Sequence, residues 1–309
     1  MNAERGGFAN WFNRRGWRDI IIGTPYIWLL SLFLLPFLIV IAMSFATAIP
    51  AQPPFEFGGT WPYLLTKNYA LLFGDPVYLR GFITSLYNAA VATVLCLIVG
   101  YPMAYGIARA QGTWRNILLM LVILPFWTSF LLRVYAWIGL MGTNSWFNKG
   151  LTGLLNVFLP ASMAFKSIPM MNSNFAVILV IVYSYLPFMI LPLYANLEKL
   201  DYTLNEAAMD LGSRPWQVFK DVTLPLSIPG IIAGGLLVFI PASGELVIPS
   251  LVGSASDPMI GRIINDEFSL NRDWPMASAI AVILLILLVL PMVIYNHYEA
   301  KSSLNADGR

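Results

Sequence analysis

Apolar residues run along this chain in six long stretches that are separated by more polar segments. A helix that crosses the hydrocarbon core of a bilayer needs roughly 20 predominantly apolar residues. Stretches of about that length or longer cover residues 20–48, 82–108, 116–141, 174–197, 228–252 and 274–298. The pattern therefore predicts an all-α integral membrane protein with six transmembrane helices.

Prolines interrupt three of the six predicted spans. Pro125 lies in the third, Pro187 and Pro192 lie in the fourth, and Pro241 and Pro249 lie in the fifth. A proline inside a helix removes a backbone hydrogen bond and clashes with the preceding turn. We expect kinked or broken helices here, which membrane proteins tolerate where the freed backbone is buried in protein or lines a cavity.

The composition agrees with a membrane location and suggests an orientation. With 58% hydrophobic and 11% charged residues, the chain is not an ordinary soluble domain. Basic residues are preferentially retained on the cytoplasmic side of a membrane. If both termini are cytoplasmic, eleven of the 18 Lys and Arg residues lie inside, six lie outside, and Arg133 lies within a span. The distribution therefore favours cytoplasmic termini.

The N-terminal region permits a second interpretation, a cleaved secretory signal. The apolar run from Ile20 to Phe45 is longer than the roughly 7–15 apolar residues of such a signal, so an uncleaved first span is favoured. We expect residues 1–19 to be a cytoplasmic segment, residues 20–298 to be one membrane domain, and residues 299–309 to be a cytoplasmic tail.

The side chains that usually carry enzyme chemistry are sparse. The sole cysteine, Cys96, lies within the second predicted span, and the sole histidine, His297, lies at the end of the last one. The sequence contains no nucleophile–base pair, metal-ligand set or Walker-type phosphate loop that we can recognise. We therefore expect a non-catalytic chain with no metal or cofactor of its own.

The polar segment between the fourth and fifth spans, the 198–227 loop, predicts a short helix, a turn and a second short helix. Asp201 or Thr203 suits the start of the first helix, and Gly212 suits a left-handed position at its end. Pro215 suits the first turn of the next helix. Such a loop can present a rigid projection to a partner protein, or its helices can lie on the lipid headgroups.

The same loop resembles the EAA motif of ABC-importer permeases. Glu206-Ala-Ala is followed after three residues by Gly212, after nine more by Val222, where the family usually has Ile, and then by Leu224-Pro225. The resemblance implies coupling helices that sit in a groove of an ATPase subunit, and it implies that ATP and Mg are bound by those partners. The implied coupling residues are Glu206, Ala207, Ala208, Gly212, Leu224 and Pro225.

Three further segments resemble the permeases of bacterial spermidine/putrescine importers, most closely the putrescine type. They cover residues 124–137, 239–249 and 271–278, and the resemblance extends from about residue 20 to residue 298. It implies the type I ABC importer permease fold in the bacterial inner membrane. It also implies a second homologous permease, two ATP-binding subunits, an extracytoplasmic solute-binding protein and membrane lipid as partners. The expected cargo is putrescine, with spermidine or another small solute as alternatives.

Arg133 and Glu245 are ionisable residues well inside predicted spans, where a charge requires a partner or an aqueous cavity. Each lies about 7 Å from the centre of its span toward the outside, at about 1.5 Å per residue. One hypothesis is an ion pair that holds the spans together. The other is that Glu245 faces a transport cavity and meets a cationic cargo, with Arg133 setting its orientation or guarding the closed state. Trp127, Tyr135 and Trp137 can add cation–π contacts to such a pathway, or they can be packing and interface anchors.

Two other classes of protein are weaker interpretations. An ion-coupled secondary transporter would need acidic residues within the membrane, and Glu245 alone is too few. This interpretation would also leave the EAA-like segment unexplained. An intramembrane enzyme would need a reactive set of side chains that is not visible. The sequence as a whole therefore favours a permease subunit.

Overall fold

The structure is a computed structural model that describes residues 5–58, 61–158 and 166–307. Its α-helices are α1 Arg5–Ser44, α2 Trp61–Gly74, α3 Pro76–Arg109, α4 Thr113–Ile123, α5 Phe130–Met141, α6 Trp146–Phe158, α7 Asn174–Leu197, α8 Thr203–Asp210, α9 Pro215–Val218, α10 Leu224–Leu226, α11 Ile228–Ser243, α12 Val247–Val252, α13 Ile260–Asn265 and α14 Trp274–Asp307. Short strands β1 Thr47–Ala48 and β2 Phe55–Glu56, a 3₁₀ turn Leu124–Trp127, and π-helical turns Phe219–Thr223 and Asp266–Leu270 complete the regular elements.

The chain divides into two compact units, Met1–Gly74 with Glu267–Arg309 and, separately, Asp75–Asp266. In the first unit, α1 packs against α14, which also contacts α2. Asn68 on α2 donates hydrogen bonds from Nδ2 to the carbonyl oxygens of Ser44 and Ala46, at 2.8 and 2.9 Å. These bonds tie α2 to the end of α1.

In the second unit, α3, α7 and α11 pack against one another and form its centre. Small residues permit the close approach. A Cβ atom at Gly234 would lie 3.0 Å from the carbonyl oxygen of Met189, and one at Gly100 would lie 3.2 Å from the Met189 side chain. The buried apolar residues of this centre include Ala89, Ala92, Cys96, Ala104, Val180, Ile181, Met189, Ile190, Leu193, Val238 and Ala242.

The predicted all-α membrane fold is confirmed. Within the described residues, three helical segments are long and apolar enough to cross a membrane alone, namely Ile21–Ser44, α3 and α7. Two bent helix pairs also qualify when each is taken as one span, and α14 adds a shorter apolar stretch, Trp274–Val289. Every predicted span thus corresponds to helical structure. The six-span count is consistent with these helices.

The predicted effect of the prolines differs between spans. Pro125 lies in the 3₁₀ turn, where the third span bends by 91°. The fifth span breaks between α11 and α12, after Pro241. By contrast, α7 continues through both Pro187 and Pro192, so these prolines do not end the fourth helix.

The predicted connections contain more structure than their polarity suggests. The segment after the first span holds the β1–β2 hairpin, with Thr47 opposite Glu56, and then α2. The segment after the third span holds α6. The predicted terminal segments are largely helical, because α1 begins at Arg5 and α14 extends to Asp307, while residues 1–4 and 308–309 lie outside the described residues.

Candidate coupling loop and transport site

The 198–227 loop folds as a helix, a turn and a second helical segment, as predicted. Asp201 Oδ1 accepts a hydrogen bond from the backbone N–H of Thr203 at 3.0 Å, just where α8 begins. Hydrogen bonds from Thr203 hold the pKa of Asp201 below its ordinary value, because they stabilise the charged carboxylate. Pro215 occupies the first turn of α9, where its missing N–H costs no hydrogen bond.

Gly212 ends α8 in a left-handed conformation, with φ of +89°. Its backbone N–H donates to the carbonyl oxygen of Met209 at 2.8 Å, and the N–H of Ser213 donates to that of Ala208 at 3.1 Å. This pair of bonds is the Schellman arrangement, which satisfies the last carbonyl groups of a helix. No atom lies within 4 Å of a Cβ built at Gly212, so backbone strain alone favours glycine there.

The implied coupling residues lie mainly on the free surface of this loop. Those that are exposed are Glu206, Ala207, Gly212 and Pro225, and those that are half-buried are Ala208 and Leu224. Two large apolar side chains beside them, Leu211 and Trp216, are also exposed, the latter to 71%. A surface that combines small, charged and large apolar residues suits contact with another protein.

An aromatic cluster joins the loop to α3. The ring of Phe219 packs edge-on against Tyr101 and Tyr105, with centroid distances of 5.6 and 6.3 Å, and it stacks on Trp216 at 5.4 Å. Tyr101 Oη and Ser227 Oγ share a hydrogen bond at 2.9 Å. The exposed Trp216 is thus in contact with a group of buried and half-buried rings, through which a displacement of the loop can reach the membrane helices.

Charged groups reinforce this attachment. The guanidinium of Arg109 lies over the rings of Tyr105 and Tyr202, at 4.3 and 5.1 Å from their centroids. Arg115 Nη1 pairs with Glu198 Oε1 at 2.6 Å. These contacts of Arg109 and Arg115 were not predicted from the sequence. The spacing of Tyr101, Tyr105 and Arg109, four residues apart on one helix face, is the pattern that could have indicated it.

Glu245 lies in the break between α11 and α12 and is 8% exposed. Its Oε2 accepts a hydrogen bond from the Tyr185 hydroxyl at 2.5 Å, and its Oε1 accepts from the backbone N–H groups of Val247 and Ile248 at 3.0 and 3.4 Å. The carboxylate therefore caps α12 and links it to α7. Tyr185 is a contact that sequence reasoning did not identify.

Helix α13 packs tightly against the same break. A Cβ atom at Gly261 would lie 2.5 Å from the carbonyl oxygen of Gly244 and 2.7 Å from that of Glu245. The backbone N–H of Ile260 donates to Ser85 Oγ on α3 at 2.7 Å. The break between α11 and α12 is therefore in contact with both α7 and α13.

The hypothetical ion pair between Arg133 and Glu245 is not formed. Nε and Nη1 of Arg133 are buried without a hydrogen-bond partner, and its guanidinium lies 5.8 and 5.6 Å from the ring centroids of Phe126 and Phe130. Arg133 and Glu245 would lie at the same depth only if the third span were straight, whereas this span bends by 91° before Arg133. The oxygens of Glu245 are instead occupied by Tyr185 and by nearby backbone.

The three predicted pathway aromatics differ in their exposure. Trp127 is 81% exposed, and Tyr135 is exposed as well. Trp137 is half-buried and packs edge-on against Tyr183 at 5.4 Å. Among the described contacts, none joins these three rings to Glu245, so their proposed role in a pathway stays a prediction.

Comparison with known proteins adds independent information. The family described as binding-protein-dependent transport system inner membrane component matches residues 97–303. The chain is 39% identical over 291 residues to a spermidine/putrescine transport system permease protein PotB of Haemophilus influenzae, covering 93% of this chain and 95% of the relative. It is 38% identical over 278 residues to the protein of the same name from Escherichia coli, covering 90% and 95%.

The fold also matches a solved structure. A crystal structure of a bacterial ABC transporter involved in the import of the acidic polysaccharide alginate contains a chain that superimposes with a TM-score of 0.66. The match covers 93% of this chain and 99% of that one, at 16% sequence identity. At this identity the similarity concerns the fold, and it supports the helical arrangement described above.

Proposed function

Because this chain belongs to the family of binding-protein-dependent transport system inner membrane components, we propose that it forms part of the path along which an ABC importer carries a polyamine. Membership makes the chain a non-catalytic permease subunit. The observation that carries the cargo proposal is the 39% identity, over 93% of the chain, to a permease named for spermidine and putrescine.

Putrescine is the first cargo to test, and spermidine is the second. The three segments of the sequence that resemble such permeases, residues 124–137, 239–249 and 271–278, support this order. A diamine carries two ammonium groups, which carboxylates and aromatic faces attract. Trp127 and Tyr135 are exposed in the isolated chain and are available to a pathway shared with a second permease.

The 198–227 loop is proposed as the docking site for an ATPase subunit. Its exposed small residues, Ala207 and Gly212, allow close approach, and the aromatic contacts of Phe219 connect the docked surface to α3. The proposed complex contains a second permease, two ATP-binding subunits that hold ATP and Mg, and an extracytoplasmic solute-binding protein. We place it in a bacterial inner membrane with both termini of this chain in the cytoplasm.

Uptake into proteoliposomes tests this proposal. The complex is reconstituted with its co-purifying partners, and entry of labelled putrescine is measured with and without internal ATP. Spermidine and an uncharged solute serve as competitors. We expect ATP-dependent uptake that spermidine inhibits and the uncharged solute does not. Uptake that is independent of ATP would contradict the ABC mechanism, and ATP-driven transport of uncharged solutes alone would contradict the polyamine cargo.

A variant at Glu245 tests the proposed pathway within the same assay. Glu245→Gln keeps the size of the side chain but removes its charge, so we expect lower putrescine uptake. Stimulation of ATPase activity by the loaded binding protein should persist, because the 198–227 loop is unchanged. Tyr185→Phe is the control, since it removes the hydrogen bond to Glu245 and leaves the carboxylate in place. Equal uptake by Glu245→Gln and the unmodified complex would remove Glu245 from the pathway.

A further inference from the structure

Helix α6 buries two polar side chains, together with part of Phe147 and Leu151, and exposes several large apolar ones. Trp146, Leu154 and Val157 are 77%, 62% and 78% exposed, whereas the side chains of Asn148 and Thr152 are buried. In an ordinary surface helix, the apolar side packs on the protein and the polar side faces water. These exposed apolar side chains indicate that the outer side of α6 does not face water.

A network around Asn148 fixes this rotation of the helix. Its Nδ2 donates to the carbonyl oxygens of Met141 and Ile168 at 3.2 and 2.8 Å. Its Oδ1 accepts from the backbone N–H of Ile168 and from Thr152 Oγ1, both at 3.1 Å. Every hydrogen-bonding position of the buried amide is thus used within the chain. The helix cannot rotate its polar side outward without leaving these groups unsatisfied.

We propose that α6 lies in the membrane interface with its apolar side in contact with lipid acyl chains. A shallow groove of about 250 Å³ runs along this side and is lined by Trp146, Phe147, Gly150, Leu151 and Leu154. No atom lies within 4 Å of a Cβ built at Gly150, so the groove is open there. An apolar groove without charged walls suits a methylene chain and offers nothing to a polar ligand.

The position of α6 in the chain favours lipid over a protein partner. The helix starts at Trp146, five residues after α5 ends at Met141, and α5 is the second limb of the bent third span. So short a connection keeps α6 near the level at which that span ends. Tryptophan is enriched at this level, and amphipathic helices there direct their apolar side toward the acyl chains. The exposed apolar side of α6 therefore lies where acyl chains are available to cover it.

Site-directed spin labelling tests the proposal. Cys96 is the sole cysteine and is buried, so a Cys96→Ala background allows a single nitroxide at Leu154→Cys. Lys149→Cys is the matched control, because Lys149 is exposed on the same helix. The complex is placed in phospholipid nanodiscs, and collisions with O₂, which partitions into lipid, are compared with collisions with a water-soluble nickel chelate.

At Leu154 we expect O₂ to relax the label several-fold more than the chelate, and at Lys149 we expect the reverse order. Dominance of the chelate at both positions would show a water-facing helix, and protection of Leu154 from both reagents would show a protein-covered one. Loss of O₂ access when the solute-binding protein is added would identify a docking face. Each of these results would overturn the proposal. Val157→Cys gives the same readout should Leu154→Cys fail to assemble.

Discussion

The 198–227 loop and α6 are both short helical connections beside membrane helices, yet they are held and exposed in opposite ways. The loop is attached through aromatic rings, with Phe219 against Tyr101 and Tyr105, and it exposes a mixture of charged, small and apolar residues. α6 is attached through the amide of Asn148 and exposes apolar residues. Each connection therefore exposes the chemistry that its proposed neighbour requires, a protein surface for the loop and lipid for α6.

The largest effect is expected where the polar attachment of α6 is removed. Asn148→Leu leaves the N–H of Ile168 and the carbonyl oxygen of Met141 without partners, at about 1–3 kcal/mol for each unsatisfied group, whereas the carbonyl oxygen of Ile168 keeps its bond from the N–H of Met170. We expect a loss of about 2 kcal/mol or more in the free energy of unfolding, seen as a lower midpoint of thermal unfolding. Lys149→Leu, an exposed neighbour, should change it by less than about 0.5 kcal/mol. Equal midpoints for the two variants would mean that the Asn148 network is not what holds α6.

An intermediate effect is expected when a glycine is replaced by alanine, once in the 198–227 loop and once in α6. Gly212→Ala places a Cβ on a residue with φ of +89°, which costs about 1–2 kcal/mol. At this cost the native conformation of the loop becomes about five- to thirty-fold less favoured relative to distorted ones, so ATP-driven uptake should fall. Gly153→Ala in α6 meets no atom within 4 Å and replaces a glycine in a helix, so uptake should stay unchanged. Uptake that falls equally in both variants would contradict a special role for the loop.

The smallest effect concerns pH at the start of α8. The pKa of Asp201 is lowered in the folded chain, so its cap stabilises α8 above the ordinary pKa of an aspartate and is lost as pH falls through the lowered value. Hydrogen exchange over α8, measured by mass spectrometry, should be modestly faster in Asp201→Ala than in the unmodified chain at neutral pH. Asp201→Asn retains an acceptor oxygen and should lie between the two. Identical exchange rates in the unmodified chain and in both variants would show that Asp201 does not stabilise α8.

The features that could be predicted from the sequence are those that depend on neighbouring residues. Runs of apolar residues indicate the spans. Residues between Asp201 and Pro215 indicate the helix, turn and helix of the loop, because capping and turn residues affect the backbone only a few positions away. Contacts between distant segments depend on how each helix is rotated, which periodicity alone does not specify. The bond from Tyr185 to Glu245 and the Asn148 network are of this kind.

The predicted ion pair between Arg133 and Glu245 is absent for a related reason. Counting residues gives the depth of a side chain only along a straight helix, and the turn at Leu124–Trp127 redirects the third span by 91°. For α6, the sequence predicts only a polar connection and no helix. Which side faces the protein could be known only once Asn148 was seen to bind Ile168.

The capped carboxylate of Glu245 also bears on how long a cargo molecule stays in transit. Its three donors belong to the same chain and are held beside it, so they compete with any passing ammonium group at a high effective concentration. In the pathway proposed above, an ammonium group that reaches Glu245 shares or competes for its oxygens with the Tyr185 hydroxyl, which shortens its stay there. In the proposed complex, such a site would favour brief residence and rapid onward release, and the proposed solute-binding protein would supply the tight capture of scarce solute.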